Sequence, residues 1–328
     1  MAATVGVVSW EGFRTRCQPL AASIAKAEEK LAPLIGGTAP LGDWVGLISE
    51  PRGKLQGHWY GKLRERNKER LLEALDTEAK VDLRSAGGPG AGAFLETPVS
   101  WGDSSAQVMP DQHFQVMLRH RLRLPVCGAG ATCRHRRLDG SLCGQPLDPF
   151  GRHALQCPVG KSRMARHDAL RDAVANLHTK LSGYTSATEQ RVVAWDRHNP
   201  RTGLLEEARL DVATRDASSG NKIYVDVMVT CAICGYEPRL RARANKDGVA
   251  AADAVRGKRV RYPPTGGELV PLIFEAGGRP ALETVAFVRT WACDEEAGER
   301  SKVIRFAWQT LSSVLQNGNA EMILSALS

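Results

Sequence analysis

Two aspartates stand in the apolar interiors of two neighbouring strand-like runs. Asp211 lies within RLDVATR and Asp226 lies within KIYVDVMVT, and Ser-Ser-Gly-Asn lies between the runs. These turn-forming residues predict an antiparallel hairpin. A turn centred between Ser218 and Ser219 sets the two aspartates opposite each other, with Cβ atoms about 5 Å apart. A divalent cation would offset the repulsion between two such carboxylates; the alternative is an edge hairpin whose polar face is in water.

The apolar residues of both runs alternate along the chain, as expected for strands with one buried face. The aspartates have the opposite parity, and a shift of one residue in register would exchange the two faces. The predicted buried face consists of Leu210, Val212, Val225, Val227 and Val229.

A second set of residues with metal-binding chemistry is CRHRRLDGSLCGQPLDPFGRHALQC, residues 133–157. Three thiolates and an imidazole are a common tetrahedral set for structural zinc, and this run has no hydrophobic periodicity that would fold it otherwise. His153 and Cys157 stand four residues apart, so they would share one side of a helical turn. Cys127 and His135 are spare candidates, and free cysteines are the alternative. The predicted zinc ligands are Cys133, Cys143, His153 and Cys157.

Hydrophobic periodicity predicts the elements that must position these residues. Before the cysteine and histidine run, helices are predicted over residues 20–34, 57–75 and 112–122. After it come a helix over 165–181, a strand over 184–194, the two hairpin strands, a helix over 246–261, a strand over 268–275, and helices over 280–291 and 303–315. This αβββαβ order predicts an α+β (mixed α/β) fold in which helices flank a mixed sheet.

The same pattern divides the chain into five predicted segments. They are a helical N-terminal region (1–84), a linker with a basic helix (85–126), a zinc-binding segment (127–160), a mixed-sheet core (161–298) and a C-terminal helix (299–328). The glycine-rich run at 85–98 lacks the G-x-x-x-x-G-K-[ST] arrangement, so no nucleotide site is predicted there.

Composition and length place the protein among globular chains. It has 328 residues and 43% hydrophobic content, which is enough for a substantial core. No apolar run approaches the length of a membrane span, and the first residues lack a basic and then apolar leader. We therefore expect neither a membrane partner nor a secretory signal. The eight cysteines are expected to be thiols or metal ligands rather than disulfides.

Positive charge is concentrated in one part of the sequence. The net charge is +8, and residues 117–171 contain eleven arginines and lysines against three acids. A second basic cluster runs from residue 239 to residue 261. Such patches are typical of phosphate binding, although a solvated basic face is the alternative.

The aspartate hairpin and its surroundings resemble a known nuclease family. Arg-Leu-Asp at 209–211 is followed by fourteen residues and Asp226, and GKRVRYP lies further on at 257–263. Together with Glu189 on the preceding predicted strand, these residues resemble the restriction-like endonuclease domain of site-specific non-LTR retrotransposons, in the PD-(D/E)xK nuclease superfamily. The cysteine and histidine run is similar to the CCHC zinc segment that precedes that domain.

The resemblance implies a restriction-endonuclease-like core that hydrolyses DNA phosphodiester bonds with Mg²⁺ or Mn²⁺, in addition to the Zn²⁺ of the cysteine cluster. It implies a nuclear location, with DNA as partner and the RNA of the parent element as a second candidate. Two positions depart from the family pattern: Leu210 stands in place of proline, and Met228 stands where most members have lysine. The implied catalytic residues are Asp211 and Asp226 as Mg²⁺ ligands, Lys258 as the migrated lysine, and Glu189.

Several of these assignments have plainer alternatives. Lys258 and Glu189 are also consistent with ordinary surface residues. The fold as a whole is also consistent with an inactive nucleic-acid-binding module or with a retroelement remnant. Arg166 and His167, which the resemblance includes, are expected to have structural or phosphate-contacting roles. The predicted nucleic-acid contacts are Arg134, Arg136, Arg137, Arg163, Arg166, Arg259 and Arg261.

Overall fold

The computed structural model describes residues 15, 18–35, 55–97, 108–293 and 295–328. The chain forms two compact units, Met1–Asp76 and Thr77–Ser328. In the first unit, helices α1 (Gln18–Ile35) and α2 (Leu55–Ala74) pack against each other. Within the described ranges, no helix is both long and apolar enough to cross a bilayer.

The second unit is built on a four-stranded mixed sheet. The described strands of this unit, in chain order, are β1 (Ala187–Arg191), β2 (Arg197–His198), β3 (Leu205–Glu206), β4 (Arg209–Arg215), β5 (Lys222–Thr230) and β6 (Glu268–Glu275). The sheet has the order β1-β4-β5-β6, and β2 and β3 form a separate small hairpin. The pairs β1–β4 and β4–β5 are antiparallel, whereas β5–β6 is parallel. The predicted α+β class with a mixed sheet is confirmed.

The described part of the second unit also contains eight α-helices. They are α3 (Thr77–Ser85), α4 (Asp111–Arg121), α5 (Arg152–Gln156), α6 (Ser162–Ser182), α7 (Glu237–Asn245), α8 (Val249–Arg261), α9 (Leu282–Thr290) and α10 (Ala297–Leu327). Helix α6 ends at Gly183, as predicted, because this residue adopts the left-handed conformation with φ 75°. Helix α7 and the β2–β3 hairpin lie outside the elements that periodicity predicts.

Helices cover both faces of the sheet. On one face, Leu170 and Val174 of α6 pack with Val212 and Val225 in the main core, to which α9 and α10 also contribute. On the other face, α8 packs against β5 and β6, where Ile273 is fully buried. The sheet therefore holds α6 and α8 on opposite sides of the aspartate hairpin.

Helix α10 joins the main core to the zinc-binding segment. It is 31 residues long, well beyond the predicted 303–315, because both of its halves are buried. Leu311 lies in the main core, whereas Met322 and Ile323 pack among the cysteines of residues 133–157. The predicted zinc segment and C-terminal helix are thus parts of one packed unit.

The predicted boundary at residue 84 also differs from the observed one. Helix α3 belongs to the second unit because Val81 is 1% exposed and packs with Leu240 and Ala244 of α7. The compact units separate after Asp76 instead.

Candidate metal and nucleic-acid sites

Strands β4 and β5 pair in the register that the turn residues predict. Their paired Cα atoms extend to Val212 and Val225, which sets Asp211 and Asp226 opposite each other just beyond the last pair. Asp216 closes the turn, since its Oδ1 accepts hydrogen bonds from two turn amides. Turn chemistry therefore determines which residues meet at the far end of the hairpin.

The two strands separate at the aspartates. The amide of Val227 donates a 2.6 Å hydrogen bond to Asp211 Oδ2 instead of continuing the ladder. Leu210 was expected to share a face with Val212, but it packs with Trp195 in a separate cluster. A backbone donor thus fixes the Asp211 carboxylate at the point where the strands diverge.

Lys258 reaches Asp226 from helix α8. Ala251, Val255 and Lys258 have the spacing i, i+4 and i+7, so they follow one side of the helix. The first two pack with Met228 of β5, which lies on the same face of the strand as Asp226. The lysine, one turn beyond Val255, consequently places its Nζ 2.6 Å from Asp226 Oδ2.

Asp226 is buried at a position where its charge is poorly solvated. It is 5% exposed, and burial raises its pKa to about 6, with Lys258 lowering the value and the neighbouring Asp211 carboxylate raising it. Lys258 Nζ, 2.6 Å from Asp226 Oδ2, is the positively charged partner of this carboxylate. The pKa of Asp226 stays raised in spite of this partner, so a further positive charge would stabilise the carboxylate.

His167 of α6 contacts the other aspartate. Its Nε2 lies 3.3 Å from Asp211 Oδ2. The hydrogen bond to Asp211 raises the pKa of His167 to about 9 despite partial burial, so the imidazole is positively charged at neutral pH. The two aspartates therefore receive positive charge from opposite faces of the sheet, through Lys258 and His167.

Glu189, which the resemblance places among the catalytic residues, does not join this group. Its strand neighbours pair with β4 on either side of Asp211, but Glu189 itself has a left-handed backbone with φ 55°. Its half-exposed carboxylate accepts a 2.6 Å hydrogen bond from Arg171. The three carboxylates do not converge as a set of metal ligands, because their oxygens do not all lie within 4.8 Å of one another. They belong to Glu189, Asp211 and Asp226.

The four predicted zinc ligands converge. The Sγ of Cys157 lies 3.8 Å from that of Cys133 and 3.7 Å from that of Cys143, and the Sγ of Cys143 lies 3.5 Å from His153 Nε2. Sulfur atoms about 2.3 Å from a tetrahedral zinc ion are about 3.8 Å apart. All four ligand atoms lie within 4.8 Å of one another, and they could hold a zinc ion.

Two short elements supply these ligands. Residues 131–147 form an irregular antiparallel hairpin, here called the zinc hairpin, in which Cys133 N donates to Gln145 O and Cys143 N donates to His135 O. The first two ligands thus come from its two facing sides. The other two lie four residues apart, in α5 and at its C-cap, as their spacing predicts.

The two spare candidates lie outside the ligand set. Cys127 is buried, and burial raises the pKa of its thiol, which favours the neutral form. His135 is also buried, and its Nε2 lies 3.0 Å from Ser325 Oγ. Neither belongs to the four-residue cluster.

The seven arginines predicted to contact nucleic acid differ in exposure. Arg166 is 4% exposed and its Nη1 donates a 2.7 Å hydrogen bond to Asn319 Oδ1, so it stabilises the α6–α10 interface; it also lines the cleft described below. Arg261 is partly buried and donates a 2.7 Å hydrogen bond to the Trp195 carbonyl, a structural contact. The exposed five are Arg134, Arg136, Arg137, Arg163 and Arg259.

A cleft of about 560 Å³ lies along the first turns of α6. Arg163, His167 and Met228 are among its lining residues. Because His167 contacts Asp211 and Met228 follows Asp226 by two residues, the cleft opens beside the aspartate pair. Its cationic lining suits a polyanion.

Comparison of the chain with protein-family models and with curated proteins found no match. The geometry of the two sites is therefore the basis for assigning a function.

Proposed function

We propose that the protein is a metal-dependent DNA endonuclease with a restriction-endonuclease-like core, related to the nucleases of non-LTR retrotransposons. The observation that carries this proposal is the juxtaposition of Asp211, Asp226 and Lys258. Two buried carboxylates lie side by side, and a lysine Nζ lies 2.6 Å from one of them. This is the residue set that the resemblance implies, with the lysine carried by a helix.

The aspartate pair fits a hard divalent cation such as Mg²⁺ or Mn²⁺, which prefers carboxylate and water oxygens. Asp226 is buried beside Asp211, and burial raises the pKa of this carboxyl in spite of the Lys258 ammonium next to it. A cation between Asp211 and Asp226 would offset both their repulsion and their desolvation. When bound, it would supply Lewis-acid stabilisation of the phosphoryl oxygens and a more acidic water.

The protein side chains have distinct roles in this proposal. Lys258 orients the attacking water or stabilises negative charge that develops on the phosphate. The backbone amide of Val227 and the His167 imidazolium hold the Asp211 carboxylate in place. His167 also lines the cleft beside the aspartates and adds positive charge where the DNA backbone would enter. DNA as substrate makes the nucleus the expected location.

The test is Mg²⁺-dependent nicking of supercoiled plasmid by the zinc-loaded protein. We expect Asp211→Asn and Asp226→Asn each to lower the nicking rate at least about 100-fold, since each removes a ligand charge. The matched control is Glu207→Gln, because this exposed acid lies near β4 and pairs only with surface arginines among the described residues. Its nicking rate should stay within about twofold of the parent rate.

The competing function is a catalytically inactive nucleic-acid-binding module. Met228, at the position where most superfamily members carry lysine, is the observation that favours it. In that case the parent would bind DNA in a salt-sensitive manner but would not nick it in Mg²⁺ or Mn²⁺.

A further inference from the structure

A second cleft, of about 470 Å³, lies where the zinc hairpin meets the start of α6 and the end of α10. We call it the anchor cleft. Three cations line it, all of them exposed, and none has an ion-pair partner among the described residues. No aspartate or glutamate side chain is among the described residues that line it. The residues used below are Arg134, His135, Arg136, Lys161, Ser162 and Ser325.

The start of helix α6 contributes further hydrogen-bond donors. Lys161 is the N-cap residue, and its side chain makes no capping hydrogen bond. The first amides of this 21-residue helix therefore lack intrahelical partners and carry the positive end of the helix dipole. Ser162 lines the cleft, and its hydroxyl lies 3.3 Å from that of Ser325 on α10. Backbone amides at such a position favour an anionic ligand.

His135 gives independent evidence for a ligand. It lines the cleft, is 5% exposed, and has its Nε2 3.0 Å from Ser325 Oγ. Its Nδ1 is buried and makes no hydrogen bond of acceptable geometry, although the Met322 carbonyl is near the ring. A buried polar nitrogen that is poorly paired is costly, so a hydrogen-bonding group bound next to this ring would be stabilising.

We propose that the anchor cleft binds a backbone phosphate of the DNA duplex, on the strand that is cleaved at the aspartate pair and within a few nucleotides of the cut, an inference that rests on the proposed function. Gly160 lines both this cleft and the cleft beside the aspartates. Helix α6 connects the two, from Ser162 in the anchor cleft to His167 at Asp211.

The spacing of the two positions on α6 sets the scale of the separation between the phosphates. Ser162 and His167 are separated by about 7.5 Å along a helix that rises about 1.5 Å per residue. The anchored phosphate and the scissile phosphate therefore lie within a few nucleotides of each other.

The anchor cleft depends on the zinc hairpin. Arg134 directly follows the ligand Cys133, and its amide donates a 2.9 Å hydrogen bond to Ala326 O of α10. A zinc ion held by Cys133, Cys143, His153 and Cys157 would order the hairpin that carries Arg134 and Arg136, so its loss would weaken the anchor as well as local stability.

The experiment measures binding of a short labelled DNA duplex to the zinc-loaded full chain by fluorescence anisotropy, without Mg²⁺ so that no cleavage occurs. The variant is Arg134→Gln combined with Lys161→Gln, and zinc content is measured to verify that its hairpin remains folded. The matched control is Arg201→Gln, since this exposed arginine lies in the turn between β2 and β3. We expect at least about tenfold weaker binding by the double variant and less than about twofold change in the control.

A second readout tests phosphate contact directly. The slope of log K against log salt should fall in magnitude by about one to two in the double variant. A single neutral methylphosphonate, placed in turn at each of the few positions beside the cut, should weaken binding by the parent at the anchored position, but should leave the affinity of the double variant unchanged there.

Two results would overturn the anchor. In the first, the double variant retains zinc and binds the duplex like the control. In the second, a structured RNA binds through Arg134 and Lys161 more tightly than the duplex does.

Nicking by the parent is measured separately. A parent that nicks, with a double variant that binds normally, rejects the anchor alone. A parent that does not nick, with a double variant that binds weakly, rejects the proposed nuclease and retains the anchor as a nucleic-acid contact.

Discussion

At the scale of single residues, the unusual feature is a pair of aspartates that the fold buries together. Asp211 and Asp226 are 7% and 5% exposed, and each has one positively charged neighbour. Burying like charges costs stability unless opposite charges or a cation offset it. Lys258 and His167 supply part of that offset from two different helices, which ties both helices to one end of the hairpin.

Replacing His167 with glutamine should flatten the dependence of stability on pH above neutrality. The hydrogen bond to Asp211 raises the pKa of His167 from 6.5 to about 9. Its stabilisation is therefore complete below pH 6.5 and is lost as pH rises through 9. With an allowance for a side chain that is 28% exposed, the effect should be roughly 2 kcal/mol. Urea unfolding of both proteins at pH 6.5 and above pH 9 measures the change in the free energy of unfolding. An equal loss of stability with rising pH in parent and variant would contradict the ion pair.

Asp226→Asn should stabilise the metal-free protein at neutral pH. Burial raises the pKa of Asp226 from 3.8 to about 6, so this carboxyl favours folding below pH 3.8 and that contribution is lost as pH rises through 6. Asparagine imitates the neutral form, and we expect a gain of about 1–3 kcal/mol in the free energy of unfolding. Added Mg²⁺ should raise the Tm of the parent but not of the variant. An equal Mg²⁺ shift in both proteins would place the cation elsewhere.

At the scale of elements, the zinc hairpin and α5 depend on their ligands more than on apolar contacts. Cys143→Ser should lower the zinc content from about one ion per chain to near zero and speed amide exchange over residues 131–147. The matched control is Cys127→Ala, which removes a buried thiol outside the ligand set. Zinc content measured by a chromogenic chelator distinguishes them. Retention of zinc by the Cys143 variant would contradict the four-ligand cluster.

The pairing of the two aspartates was predictable because residues close together in the sequence determine the register of their hairpin. Turn residues between 216 and 221 fix the register, and a register extends along the whole hairpin once the turn is set. The contact of Lys258 with Asp226 was suggested by resemblance, yet its i, i+4, i+7 spacing with Ala251 and Val255 is a signal in the sequence itself. A charged residue that continues an apolar stripe is a candidate for a buried partner.

Other features depend on packing between distant segments, which single-sequence periodicity does not encode. Arg166 lies in a basic run with a structural or a phosphate-contacting role expected, and the close approach of α10 buries it against Asn319. Glu189 is a catalytic residue by resemblance, with a surface residue as the alternative, and its carboxylate lies on Arg171 because its backbone is left-handed. Helix α7 is polar and short, and it forms against Val81 of the distant α3.

At the scale of the second unit, α10 connects the zinc hairpin, α6 and the main core. It packs tightly against α6 at Gly318, where an added Cβ would lie 2.5 Å from Arg166 Cγ and 2.9 Å from its Cβ. Gly318→Ala should therefore destabilise the protein by about 1–3 kcal/mol through overpacking. Chemical denaturation measures this loss.

The same helix contains a matched control. Gly298 has no atom within 4 Å of an added Cβ, so Gly298→Ala should be neutral or should stabilise the helix by up to about 1 kcal/mol. Effects of the same sign and size at both positions would contradict the close α6–α10 contact.

The central claim is that Lys258 acts in DNA cleavage beside Asp226. The measurement that tests it most directly moves the lysine from position 258 to position 228. Nicking of supercoiled plasmid in Mg²⁺ is compared for the parent, Lys258→Ala, and Lys258→Ala combined with Met228→Lys, because Met228 and Lys258 reach the same face of β5 beside Asp226. The proposed nuclease predicts that the single variant loses activity and that the double variant regains a substantial part of it. A Lys258→Ala protein that nicks at the parent rate would contradict the assignment of this lysine to the site.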